Sequence, residues 1–167
     1  MTLTLSSIPR APSRAPLVVL DVDPDLALGR VGPIGLAVWH GPHSVRNVER
    51  QHRAMRDVAV ARPHDAAYLA VLRCDEPPDH AAARRMVDLA RELGGRFRAV
   101  AIVLEGGSIP RPLAAAIVAG VGRLVPRGAV EERLRFFSTA ADATRWLAPD
   151  ATQAVWDGLA ALSGPSS

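Results

Sequence analysis

The sequence predicts an α/β domain built on a mixed five-stranded sheet, mostly parallel with an antiparallel first pair, and about five helices. Three observations predict it. Residues 66–74 (AAYLAVLRC) and 97–104 (FRAVAIVL) are near-continuous apolar runs, the pattern of strands covered on both faces. Each is followed by a helical pattern, and repeated strand–helix units impose parallel pairing with right-handed crossovers. The stretch 136–147 (FFSTAADATRWL) ends the same way, with a short apolar strand and then a helix carrying Ala141, Ala143, Trp146 and Leu147 toward one side.

Residues 1–16 hold Pro9, Pro12 and Pro16 among Ser, Arg and Ala; proline removes backbone donors and blocks helix, so a disordered arm is expected, with Leu3 and Leu5 offering an edge strand. Residues 17–23 (LVVLDVD) are a β-branched strand signal. Residues 24–33, with Gly29 and Gly32 between two prolines, read as a turn-rich connection, and residues 34–40 (IGLAVWH) as the second strand, pairing antiparallel with the first. Ser44 can cap a helix whose inner face is Val45, Val48, His52, Met55 and Ala59. After the strand at 66–74, Asp79 caps a helix with Met86, Val87, Ala90 and Leu93 inward, and Gly94 and Gly95 stop it. The strand at 97–104 and a loop at 105–108 lead to an apolar helix at 109–124, where Gly120 and Gly122 each cost about 1 kcal/mol relative to Ala. A strand at 134–137, a helix at 139–147 capped by Thr139 and a final helix at 151–162 carrying Val155, Trp156, Leu159 and Leu162 complete one domain at 17–162; residues 163–167 fray.

Composition narrows the function classes. The chain of 167 residues is 49% hydrophobic but only 4% aromatic, so its core is aliphatic. All 20 basic residues are arginines, set against 17 acids and spread along the chain, which disfavours a nucleic-acid surface. Cys74 is the only cysteine; it allows no internal disulfide and reads as a buried, inert thiol. No apolar run reaches the roughly 18 residues of a membrane helix, and the N-terminus lacks a signal-peptide core, so a cytoplasmic protein is expected.

The element order, the two buried strands and the closing FFSTAADATRWL together resemble the STAS superfamily, named for sulfate transporters and anti-sigma-factor antagonists. The likeness spans residues 17–147, and the closing stretch looks like the short last strand and alanine-rich helix ending in Trp-Leu common in STAS-like proteins. The resemblance implies a non-enzymatic regulatory domain that uses no cofactor and docks a protein partner, with a homodimer as a further arrangement. In the regulatory members a serine or threonine opening the helix after the third strand is phosphorylated by a partner kinase. Here that segment, residues 75–81 (DEPPDHA), has no hydroxyl, so the usual serine switch is not expected. Asp79 stands there as the ordinary helix cap, beside His80. The partner-binding surface is expected around Asp75, Asp79, His80, Arg84 and Arg85, with Arg53 on the preceding helix.

The alternative is a small α/β enzyme or an anion- or nucleotide-binding protein, with its site beyond the carboxyl ends of the parallel strands. Glu105, Gly106, Gly107 and Ser108 precede a helix, whose free N–H groups with Arg111 could take an anion, although the phosphate-loop pattern is missing. His40 and His43 flank Gly41-Pro42, too few ligands for a closed zinc site, and read as surface. Asp21, Asp23 and Asp25 alternate and could face a divalent cation, but Pro24 interrupts the strand geometry and aspartates favour turns.

Overall fold

The computed structural model describes residues 15–73, 76, 78–93, 95–105 and 133–164. Six strands form one sheet in sequence order: β1 (Leu17–Val22), β2 (Leu26–Val31), β3 (Ile34–Trp39), β4 (Ala67–Leu72), β5 (Ala99–Leu104) and β6 (Leu134–Phe137). β1–β2 and β2–β3 are antiparallel; β3 to β6 are parallel. The α/β class and the mixed sheet are as expected, but the sheet has six strands rather than five. The additional strand is β2 (LALGRV), which lies in the segment read as a turn-rich connection. It separates the two strands expected to pair, so β1 and β3 each pair with β2.

Glycine explains why β2 does not look like a strand. A Cβ at Gly29 would lie 2.9 Å from Leu17 Cδ1 and 3.1 Å from Leu162 Cδ1, so this strand position has no room for a side chain. Gly32, at φ +56°, takes the left-handed conformation of the two-residue turn that joins Val31 to Ile34.

Alternation along the strands builds two cores. Leu26, Leu28, Trp39, Tyr68, Leu72 and Ile102 face α1 (Val45–Ala61) and α2 (His80–Leu93). On the opposite side Val31, Leu36, Val38, Leu69, Val71 and Val103 face α3 (Ala140–Leu147) and α4 (Thr152–Leu162), which are joined by a 3₁₀ turn at Pro149–Ala151. β3 and β4 are buried at every position, which is why 66–74 reads as continuously apolar. The expected helix at 109–124 lies outside the described residues, as does the N-terminal arm to Arg14. Among the described residues no helix is long and apolar enough to cross a membrane.

The predicted caps form. Ser44 Oγ accepts from the Asn47 amide at 3.2 Å, and Thr139 Oγ1 accepts from the Asp142 amide at 3.2 Å. The inner face of α1 is Val48, His52, Met55, Val58 and Ala59. Three helix faces differ from expectation. α2 buries Ala82, Leu89 and Leu93, with Met86 and Ala90 packed against the core, and leaves Val87 out of it. α3 buries Ala140, Ala143, Thr144 and Leu147 and leaves Ala141 exposed, while Trp146 is half-buried against Phe137, ring centroids 5.6 Å apart. α4 buries Val155, Gly158, Leu159 and Leu162 and leaves Trp156 44% exposed, since a step of one residue turns about 100° around the helix.

Helices cover β2 to β5 on both faces, but β1 projects beyond them except at Leu17, which packs under α4. Its Val18, Val19, Leu20 and Val22 are 39, 56, 38 and 59% exposed. On the α4 side, close approach depends on Gly158, where a Cβ would meet Val31 Cγ2 at 2.8 Å and Leu36 Cδ1 at 3.2 Å. Gly158→Val is expected to destabilise the fold by about 1–3 kcal/mol through overpacking. Urea denaturation checks this; an unchanged midpoint would mean that α4 does not seat on β2 and β3.

Candidate functional site

The carboxyl ends of the parallel strands align polar residues. Trp39, Leu72 and Leu104 are in register across β3, β4 and β5. The residues that follow them, His40, Arg73 and Glu105, therefore stand side by side. The ladder continues one step beyond the strands, with the Arg73 amide donating to Trp39 O at 3.0 Å and the Glu105 amide to Leu72 O at 3.0 Å. The His40 amide donates to Asp25 O at 2.8 Å, which adds Asp25 to the row. Arg73 Nε lies 2.7 Å from Glu105 Oε2, each side chain about one-third exposed (34% and 35%). Glu105, expected to border an anion site, is thus paired with a cation. Gly106, Gly107, Ser108 and Arg111 lie outside the described residues, as do Cys74 and Asp75.

The two loop histidines are separated. His40 Nε2 is 3.4 Å from Leu162 O at the end of α4, on one side of the sheet. His43 stacks on Trp39 on the other side, ring centroids 4.4 Å apart. His43 was expected on the surface, but it is only 4% exposed, and neither ring nitrogen has a hydrogen-bond partner. Stacking against Trp39 under α1 draws the ring inside. Burial pushes its pKa below the ordinary histidine value, so the neutral imidazole is favoured.

The aspartates spend their oxygens on structure. Asp23 Oδ1 accepts from the amides of Asp25 and Leu26, each at 2.9 Å, and shapes the turn into β2. Arg50 of α1 binds Asp21 through Nε at 2.7 Å and Nη2 at 2.6 Å, and also contacts Asp23. The Arg50 guanidinium holds the Asp21 carboxyl below its ordinary range. The three do not alternate along one strand, as Pro24 and the turn preference of aspartate predict: β1 stops at Val22 and the chain turns.

On α2, Asp79 caps the helix: its Oδ1 accepts from the Ala82 amide at 2.7 Å. His80, the first residue of the helix, and Arg84 are exposed. Arg85 Nε lies 3.4 Å from Glu49 Oε1 of α1, an ion contact, and His52 Nε2 lies 3.2 Å from Glu92 Oε2 of α2; neither nitrogen has hydrogen-bond alignment. Burial pulls the His52 pKa down, opposed by the Glu92 carboxylate. Beneath these helices an apolar space of about 110 Å³ is lined by Trp39, Met55, Tyr68 and Phe97 among others, too small for a drug-sized ligand. Gln51 closes its polar side by donating to the buried Tyr68 hydroxyl.

Among the described residues expected to bind a partner, Arg53 lines a groove, together with Asp21 and with arginines the sequence did not single out as a site. Between β1 and α1 lies a groove of about 340 Å³, lined by Leu20, Arg30, Arg50, Arg53, Asp57 and Arg62 among others. Arg30 belongs to β2, the strand hidden in the Gly/Pro-rich segment, so no local pattern placed it opposite α1. Comparison with protein-family models, curated proteins and solved structures finds no match for the chain.

His43 gives a pH prediction. Unfolded, it titrates near about 6.5; folded, it titrates lower. The fold favours the neutral form, so this stability is fully present above about 6.5 and falls as pH drops toward the folded pKa. His52 acts with the same sign. Wild type is expected to lose urea resistance between pH 7.5 and 5.5, and His43→Phe to lose less. An equal loss in both proteins would contradict the assignment.

Proposed function

We propose that this chain is a non-enzymatic STAS-like domain, cytoplasmic, that works by protein–protein contact and is not switched by the usual serine phosphorylation. The observation that carries the reading is β1. A strand at the edge of a sheet, with four large apolar side chains 38–59% exposed and one strand neighbour among the described residues, is a surface suited to a partner. The polar groups point the same way, because the aspartates, Glu105 and Asp79 serve ion pairs, turns and a cap. The expected docking residues on α2 lie beside α1, joined to it by Arg85–Glu49 and His52–Glu92, and extend the contact face away from the edge.

The in-register row of Asp25, His40, Arg73 and Glu105 favours a second reading, a small α/β enzyme or anion-binding protein, since open parallel sheets bind ligands at this end. A thermal-shift screen with nucleotides, metals and acyl ligands separates the two: a shift abolished by Glu105→Gln or Arg111→Ala supports the second reading.

For the first reading, a photo-cross-linking residue placed at Val22 in the native cell is expected to give one discrete cross-linked protein species. The same residue at exposed Arg96 should give none. No species from position 22, or the same species from both positions, would overturn contact through β1.

A further inference from the structure

We propose that the groove between β1 and α1 receives an extended acidic peptide, which adds as a strand to the edge of β1 that has no strand neighbour among the described residues. The inference rests on the reading of β1 as a contact surface and names the chemistry of the partner.

The groove exists because α1 packs over β2 and β3 and stops short of β1. The β1–β2 register shifts between Val19 and Asp21, and Leu20, at that irregularity, lines the groove. Ala54, Val58 and Ala61 of α1 supply the rest of its apolar wall. Its charged lining is unbalanced, with four arginines against two carboxylates, Asp21 and Asp57. Asp21 is already held by Arg50. Arg30, Arg53 and Arg62 have no carboxylate within ion-pair distance among the described residues. Three guanidiniums beside an apolar strip and an open strand edge fit a segment that alternates apolar and acidic side chains. Main-chain hydrogen bonds would hold such a segment, and the arginines would select its charge.

Charge decides between the occupants. The fourteen residues before Ala15 carry Arg10 and Arg14 and no acid, so they repel the groove. A second copy joined edge to edge through an antiparallel β1 pair would set two arginine grooves on the same side of the joint sheet, like charge against like. A nucleic acid would satisfy the arginines but leave the valines of β1 without apolar contact, and it would meet Asp57. An acidic peptide satisfies both parts.

The test titrates the ¹⁵N-labelled full chain with a capped octapeptide alternating valine and glutamate, read by amide chemical shifts. The controls are the valine–lysine octapeptide and an eight-nucleotide oligothymidylate. The acidic peptide is expected to shift the amides of β1 and of Arg53. Arg53→Glu/Arg62→Glu, two exposed changes, one mid-helix and one at the C-cap of α1, that spare Arg50, should weaken it at least tenfold with the spectrum otherwise preserved. Added salt should weaken it as well. Equal binding of the lysine peptide, no binding of the acidic peptide, tighter binding of the oligonucleotide at these arginines, or a β1-mediated dimer in sedimentation would each overturn the proposal. Failure of the acidic peptide while the Val22 cross-link persists removes the acidic partner and leaves contact through β1 standing. Loss of both removes the contact reading as well.

Discussion

Two-sided burial of the central strands is the constraint from which the rest of the molecule follows. β3 and β4 have no exposed position, so apolar side chains must fill both faces and a pair of helices must cover each. α1 and α2 take one face, and α3 and α4 the other. Their combined width spans β2 to β5. β1 is tied to the sheet by its ladder with β2 but lies past the cover, which leaves its valines in solvent and opens the arginine groove beneath it. The exposed edge is therefore a geometric consequence of the covered centre, and it carries four of the six exposed large apolar side chains among the described residues.

Much of this frame was legible in the residues. The continuous apolarity of β4 and β5 reports double burial. Ser44, Asp79 and Thr139 announce helix starts because a short polar side chain before an apolar period has one favoured use. The spacing of Val48, His52, Met55 and Ala59 fixes the inner face of α1. β2 was not legible, because its Gly29 and the flanking prolines are turn residues by local preference. Their use in a strand depends on Leu17 and Leu162, residues distant in sequence that crowd the same point. Likewise the inward phase of α3 and α4 depends on where each helix begins, and a one-residue difference put Ala141 and Trp156 outside.

The site was less legible than the fold for the same reason. Arg50 reads as one of several arginines on the polar face of α1, and only the tertiary approach of β1 makes it the clamp on Asp21 and Asp23. Arg30 could not be assigned to a groove while its strand was hidden. His43 follows Gly-Pro in a loop, a setting that suggests solvent, whereas Trp39 stacks on it and takes it inside. Short-range chemistry predicts caps and turns well. Pairings across the sheet and between helix and edge need the assembled fold.

Native-state amide hydrogen exchange tests the central claim most directly, that β1 is an open edge beside a doubly covered sheet. The amides of β3 and β4 should exchange only through global unfolding, while every other amide of β1, those turned away from β2, should exchange fast even where their neighbours are protected. Uniform slow exchange along β1, equal to that of β2, would contradict the account, since it would mean that the edge is already paired.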